Sequence, residues 1–351
     1  MRLVIDCRFI GKSGIGTYIE NILNELLLHH PEHEYLLISE KRYPQYDSFS
    51  NVDYVLTDIK PFSLKELFLF PTKKINRYDV FFSPYINIPM GIKIPVYCTI
   101  HDVIFWDMPE LVSRVGLWLR TFFIKHAINS SRAIFTVTNF SKDRIIHHFK
   151  TEIPIYVVPN GVARFIREFT DVVDKQDYIL FVGNVKEHKG LHVLIEAYRK
   201  AKAKGFPGKL VIVGDYRHFR TTDDVIQNSS KGDIGIKFTG RLNNKDLLRT
   251  IASARLLVLP SMYEGFGIPP MEALYLGTDT IISDIPALKE IYGKLPVTFF
   301  HVNDVDDLAD KLITYKPNTE SKAVTRKMIM ESYSFRKAAD SILALIAGIK
   351  S

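Results

Sequence analysis

Leu256-Leu257-Val258-Leu259-Pro260-Ser261-Met262-Tyr263-Glu264-Gly265-Phe266-Gly267-Ile268-Pro269-Pro270-Met271-Glu272-Ala273-Leu274 is the stretch on which the fold turns. Its first four residues form a short, wholly apolar run, as expected of a strand buried on both faces of a parallel sheet. Two glycines then open the backbone, and the pattern becomes helical. The segment therefore crosses from the carboxyl end of a strand into a helix, the place where open α/β sheets bind ligands. Glu264 and Glu272 stand eight positions apart, just over two helical turns, or about 12 Å along the axis if the helix were continuous. Two carboxylates at different depths of one cleft suit two polyhydroxylated groups, such as a hexose and a ribose. The competing reading makes Glu264 a charge at a helix N-terminus and Glu272 a solvated surface group.

The same alternation runs outward in both directions. Short β-branched runs at 3–6, 35–39, 96–100, 133–137 and 155–158 alternate with longer amphipathic stretches such as 15–28, the pattern of an α/β chain with parallel sheets. The rhythm breaks at Pro159-Asn160-Gly161 and a charged stretch from 164 to 176. A second series follows at 178–182, 210–213, 236–238, 256–259, 280–282 and 297–300. The expected organisation is two Rossmann-like domains, 1–165 and 166–333, followed by a helical tail, 334–351, whose packing partner the pattern leaves open.

With 351 residues the chain exceeds the size at which a single core stops growing, in keeping with two domains. Hydrophobic residues make up 46% and charged residues 24%, which places it among globular chains and away from disordered ones. The opening apolar run ends at Asp6, and no run of some 18 uncharged apolar residues occurs, so the expected location is the cytoplasm. Cys7 and Cys98 are the two cysteines, both in strand-like runs, and read as buried free thiols. The formal charge of +7 suits phosphate-bearing ligands or an anionic membrane surface. Nucleic acid is not an expected partner, since zinc spacings, a basic recognition helix and aromatic RNA-binding signatures are all missing.

Gly11-Lys12-Ser13-Gly14-Ile15-Gly16-Thr17-Tyr18 forms the first strand-to-helix turn, where glycines let backbone N–H groups approach a phosphate. A dinucleotide-binding turn would carry a third glycine where Ile19 stands, although Glu40 could serve as a ribose-binding acid. An NAD-dependent oxidoreductase is the rival reading built on this turn. It leaves the Glu264/Glu272 segment without a task. Asp304-Val305-Asp306 opens a helical pattern and reads as a helix cap rather than a metal site, so no metal or other cofactor is expected. Two further stretches, 60–77 and 111–132, mix basic residues with aromatics, and in the second Val115, Trp118, Leu119 and Phe122 follow helical spacing. Such a stripe fits an anionic lipid surface, peripheral to the inner face of a membrane, or equally a helix facing the core.

Taken together, these motifs resemble the family 4 retaining glycosyltransferases of the GT-B fold, in particular the mannosyl- and rhamnosyl-type enzymes of bacterial glycan assembly. The resemblance covers nearly the whole chain. It rests on the glycine turn with Tyr18, on Thr99-Ile100-His101-Asp102, on Val158-Pro159-Asn160-Gly161-Val162, on Phe181-Val182-Gly183 with Lys189-Gly190, on the Glu264/Glu272 pair, and on Gly277 with Ser283-Asp284. It implies an N-terminal acceptor domain and a C-terminal donor domain facing a central cleft. The implied reaction moves a hexosyl or deoxyhexosyl group, with retention, from a nucleotide-diphosphate sugar to a hydroxyl of a glycan or lipid-linked acceptor. Lys189 would contact the donor diphosphate, Glu264 the transferred sugar, Glu272 the ribose hydroxyls, and His101, oriented by Asp102, the sugar from the acceptor side. Gly14, Gly16, Gly183, Gly265, Phe266 and Gly267 would complete the donor site, and the residues around Gly240-Arg241-Leu242 would help choose the nucleotide. The sequence departs from the family at Asn184, where an arginine is usual, so Lys186 or His188 would supply the charge. That departure also supports a catalytically inactive binding protein as an alternative. A second departure, Asp279 in place of proline, is expected to alter only a turn.

Overall fold

In the structure, a computed structural model, residues 1–12, 14–214 and 235–350 are described; Ser13 of the glycine turn lies outside them. The chain divides into two compact units, Met1–Asn160 with Phe335–Ser351, and Gly161–Ser334. The division falls at the Asn160-Gly161 step, ahead of residue 165.

The first unit is built on a parallel sheet of β1 (Arg2–Asp6), β2 (Glu34–Ser39), β3 (Val52–Leu56), β4 (Val80–Ser83), β5 (Val96–Thr99), β6 (Ala133–Thr136) and β7 (Ile155–Val157), in the order β3-β2-β1-β4-β5-β6-β7. Every residue of β4, β5 and β6 is buried, because helices cover both faces and each strand can be apolar throughout. β3 and β4 escape the sequence rhythm. β3 carries Asp53 in mid-run, and β4 is only four residues long.

The second unit repeats the plan with β8 (Gln176–Val182), β9 (Lys209–Val213), β10 (Ile236–Gly240), β11 (Ala254–Leu259), β12 (Asp279–Ser283) and β13 (Thr298–Phe300), in the order β10-β9-β8-β11-β12-β13. In both sheets the strand order reverses beside the unit's first strand, between β1 and β4 and between β8 and β11. At such a reversal successive connections leave to opposite faces, and a crevice opens outside the carboxyl ends.

The terminal helix Phe335–Lys350 settles the question left open by the pattern, because it packs on the first unit. Phe335, Ala338, Ala339, Ile342, Leu343 and Ile346 join Tyr18, Ile19, Ile22 and Leu26 of the helix Gly14–His29 in one core. Burying a large aliphatic side chain of this kind contributes roughly 1.5–3 kcal/mol. The helix is therefore part of that core rather than a loose tail.

Asp304 caps the helix Val305–Thr314, its Oδ1 accepting from the backbone N–H groups of Asp306 at 3.0 Å and Asp307 at 2.9 Å. Asp279 does more than shape a turn: its Oδ2 accepts from the Tyr315 hydroxyl at 2.6 Å and from the Asn318 N–H at 2.8 Å, fastening the segment after that helix to β12. Cys7 and Cys98 are free and buried. No helix among the described residues is long and apolar enough to cross a membrane.

Candidate active site

The loops after β8 and β11 meet at the strand-order reversal of the second unit. β8 runs into a 3-10 turn, Glu187–Lys189, and then Gly190 in a left-handed conformation at φ 65°. A Cβ at Gly190 would stand 2.0 Å from the Pro260 carbonyl oxygen, so only glycine lets the two loops approach. The Met262 N–H donates to the His188 carbonyl at 2.8 Å, tying the loops by their backbones.

This approach brings two sequence-predicted residues together. Lys189 Nζ donates to both carboxylate oxygens of Glu264, each at 2.8 Å, and Ser261 Oγ donates to Glu264 Oε1 at 2.7 Å. The Glu264 side chain is only 9% exposed and that of Lys189 25%, so the carboxylate is sealed beneath while the ammonium still reaches solvent. A partly desolvated cation at the mouth of a crevice is suited to an anionic ligand. His188 beside it is held neutral: burial first, and the Lys189 charge second, push its imidazole down to about 4. His188 therefore does not supply a second positive charge near neutral pH.

Glu264 lies outside the helix, which starts at Ile268 and ends at Leu276. The two glutamates are consequently not separated by two turns of one continuous helix. Tyr292 fixes the start of that helix, its hydroxyl donating to the Gly267 carbonyl and accepting from the Met271 N–H at 3.1 Å. Glu272, one turn into the helix, is half-buried, and burial pushes its carboxyl up to about 7. Its carboxyl makes no hydrogen bond among the described residues, and its partial burial sets it apart from a fully solvated charge.

The other predicted donor-site residues are more dispersed. Gly183 sits at the end of β8 and donates its N–H to Val213 at the end of β9. Asn184, Lys186 and Arg241 are exposed, Arg241 directly after β10. Gly265 is buried, while Phe266 is buried in edge contact with Tyr333 at 5.9 Å and belongs to the packing beneath the loop rather than to a stacking surface.

In the first unit, His101 follows β5. Its Nε2 lies 3.0 Å from the Pro84 carbonyl oxygen, and its ring stands edge-on to Tyr18 at 4.7 Å. A carbonyl only accepts, so Nε2 carries the proton and Nδ1 keeps a free lone pair. Burial pushes the imidazole down to about 4. His101 is neutral near pH 7. Pro84 and Tyr18 hold its orientation, and Asp102 Oδ1 accepts from the Ile104 N–H at 3.1 Å. Tyr18 is itself buried, with its hydroxyl 3.2 Å from Thr99 Oγ1.

Gly16 is a packing residue, since a Cβ there would stand 2.1 Å from the Phe9 carbonyl oxygen; around Gly14 there is open space. Glu40 pairs with Lys12 at 2.5 Å on an exposed surface.

Residue-type reading missed four contributors to this geometry: Ser261, Tyr292, the Pro84 carbonyl, and the buried charges behind the first strand-order reversal. There Arg8 donates to Asp6 and Glu66, Asn87 Nδ2 donates to Asp6 at 2.7 Å, and all four side chains are buried. The one available signal was Asp6 and Arg8 flanking the end of an otherwise apolar run.

Two family models match the chain in tandem: Glycosyltransferase Family 4 over residues 13–164, and Glycosyl transferases group 1 over residues 162–329. The chain belongs to the family 4 glycosyltransferases. Among its relatives is the O-antigen chain mannosyltransferase B of Escherichia coli, 27% identical over 61% of this chain and 59% of the relative. Another, the O-antigen chain mannosyltransferase RfbU of Salmonella typhimurium, is 27% identical over 55% of this chain and 53% of the relative. The chain thus spans little more than half the length of these curated relatives. Solved structures with the same fold include a glycosyltransferase of Rickettsia africae, with TM-score 0.73 and 16% identity over 99% of this chain and 98% of that one. HepE of Anabaena, solved with UDP and glucose, gives TM-score 0.73 and 15% identity over 99% of this chain and 100% of that one. The fold is GT-B, two Rossmann-like domains each on a parallel sheet.

Proposed function

We propose that this chain transfers a hexosyl group, with mannosyl as the first choice, from a nucleotide-diphosphate sugar to a hydroxyl of a glycan or lipid-linked acceptor, with retention of configuration. The observation that carries the reading is the Lys189–Glu264 pair at the strand-order reversal of the second unit. A donor diphosphate would draw the partly exposed Lys189 ammonium to itself and free the Glu264 carboxylate to accept from sugar hydroxyls. As the bond from the anomeric carbon to phosphate breaks, Lys189 would stabilise the charge growing on the departing nucleotide, where fixed charges act most strongly. The acceptor oxygen bonds the same face of the anomeric carbon, and its proton passes to the leaving phosphate. Glu272 is assigned to the ribose hydroxyls, with Gly183, Asn184, Lys186, Arg241, Gly265 and Gly267 framing the donor, and neutral His101 of the first unit is assigned to the acceptor side. The mannosyl choice follows the O-antigen mannosyltransferases among its relatives.

No metal is assigned a role in transfer. Turnover should survive EDTA unchanged, and loss of activity restored by a divalent ion would overturn that assignment. For the donor, a thermal-shift panel of GDP, UDP, dTDP and NAD should give a rise with one nucleoside diphosphate and none with NAD, since a ligand that binds only the folded state raises the melting point. A rise with NAD alone would sink the transferase reading.

The acceptor side is proposed to rest on an anionic membrane surface. In the helix Arg114–Ser130 the core face is Phe123, Ile124, Ala127 and Ile128, whereas Val115, Trp118, Leu119 and Phe122 are exposed, Val115 at 70% and Trp118 at 67%. The exposed Leu64, Phe68 and Leu69 adjoin them through Phe62, whose ring meets that of Phe123 at 5.1 Å. Lys60, Lys65, Lys73, Arg114 and Lys125 of the same two stretches are exposed as well, a combination that suits anionic lipid. Co-sedimentation with anionic vesicles at low salt should be strong and should fall severalfold in Trp118→Ser/Phe122→Ser. Equal recovery of the variant and the parent chain would refute the surface.

A further inference from the structure

The turn between the helix Gly14–His29 and β2 reads His29-His30-Pro31-Glu32-His33 and takes no part in the proposed transfer. It gathers three ligating groups. His30 Nδ1 lies 3.4 Å from Glu32 Oε1, His33 Nε2 lies 3.6 Å from the same oxygen, and one ligand atom from each residue falls within 4.8 Å of the other two. Two ligands of a tetrahedral zinc ion, at bond lengths near 2.0–2.1 Å, stand about 3.3 Å apart. Two of the three separations are thus already close to that value, and the third lies within 4.8 Å.

The two rings are pre-arranged. They are stacked at 6.0 Å with an interplanar angle of 15°, and their side chains are only 19% and 20% exposed. His30 Nε2 lies 2.7 Å from Asp340 Oδ1 on the terminal helix, and Arg336 Nε donates to the other oxygen of Asp340 at 2.9 Å. Asp340 only accepts, so Nε2 carries a proton; Nδ1 faces the Glu32 carboxylate, and a metal ion taken up between them replaces any proton that Nδ1 holds. A histidine fixed through its second nitrogen by a carboxylate is the usual supporting arrangement of a metal ligand. The other nitrogen of His33, Nδ1, lies 3.5 Å from the amino group of Met1.

We propose that His30, Glu32 and His33 form a binding site for a divalent transition-metal ion of the zinc class, with Asp340 as the positioning residue for His30. The site lies at the amino edge of the first sheet, just before β2, whereas His101 follows the carboxyl end of β5 in the same unit. It is therefore not a catalytic metal. It fastens the terminal helix, through Asp340, to the turn that starts β2.

The test is Zn²⁺ titration by calorimetry on the full chain freed of any purification tag, with Co²⁺ absorption as a report of coordination geometry. One equivalent should bind, the melting point should rise with Zn²⁺, and His30→Ala and His33→Ala should each weaken binding at least tenfold. Asp340→Asn, which leaves all three ligands in place, should weaken it about tenfold. Metal-free melting of each variant, matching the parent chain within a few degrees, separates lost ligation from lost folding. Absence of binding by the parent chain would overturn the proposal, as would unchanged affinity in both histidine variants. Transfer activity plays no part in this readout, so it stands or falls apart from the enzymatic assignment.

Discussion

The two sheets reverse their strand order in the same way, yet they fill the resulting crevices oppositely. Behind β1 and β4 the charges are closed on one another: Arg8, Asp6, Glu66 and Asn87 are all buried, and Arg8 also donates to the Ile59 carbonyl at 2.9 Å and lies over the Phe70 ring at 4.6 Å. Behind β8 and β11 the carboxylate of Glu264 is buried, but its cation, Lys189, reaches solvent, and the nearby Glu272 lacks a hydrogen-bond partner among the described residues. A sealed cluster of charges holds backbone segments in place. A half-open pair can exchange one partner for a ligand. The second unit thus holds a pair open to exchange, and the first a closed cluster that serves the architecture.

The largest effect should come from opening the sealed cluster. Arg8→Met removes the cation and leaves Asp6 and Glu66 buried together, a change that costs about 3–5 kcal/mol when a buried pair loses one member. Chemical denaturation would measure it. A loss below about 1 kcal/mol would show that water enters the cluster, and the contrast between the two crevices would dissolve.

Next comes Glu264→Gln, which keeps the Ser261 hydrogen bond but removes the charge facing Lys189. Transfer should fall about 10²-fold or more with the melting point little changed. An undiminished rate would remove Glu264 from the chemistry and leave the pair as a structural clasp like the first.

The last effect, on pH dependence rather than on rate, concerns Glu272. Its carboxyl titrates near 7 in the folded chain against an ordinary value of 4.5, so between those limits the folded state holds a proton that the unfolded state has released. Stability is therefore greatest below the lower value, declines as pH rises through the interval, and levels off above about 7. In Glu272→Gln that part of the decline should vanish from melting curves taken between pH 4.5 and 7.5. An identical profile in the variant would mean that the carboxyl is solvated, as a surface glutamate would be.

Much of this site could be read from residue types alone. Lys189 was singled out by the family resemblance, being by residue type an ordinary loop lysine, whereas the contrast that marks Glu264, an apolar run giving way to glycine, is visible without neighbours. Their pairing is not, because it joins positions 75 residues apart through the close approach at Gly190. Glu66 gave no signal, since its position in a short helix resembles that of any solvated glutamate until Arg8 is placed against it. The stripe Val115, Trp118, Leu119 and Phe122 shows the limit differently: periodicity marks a face of a helix but not what the face meets, and here Phe123, Ile124, Ala127 and Ile128 took the core.

What the sequence by itself determined was the alternation of buried strands and amphipathic helices, the break near Asn160, and the polar residues at strand ends. These follow from local patterns of apolar side chains and from the backbone freedom of glycine. Only the tertiary structure decided that the terminal helix belongs to the first unit, that Pro84 and Tyr18 orient His101, and that one crevice is sealed while the other stays open. Those outcomes depend on which distant groups exclude water from one another, and a linear pattern does not encode that exclusion.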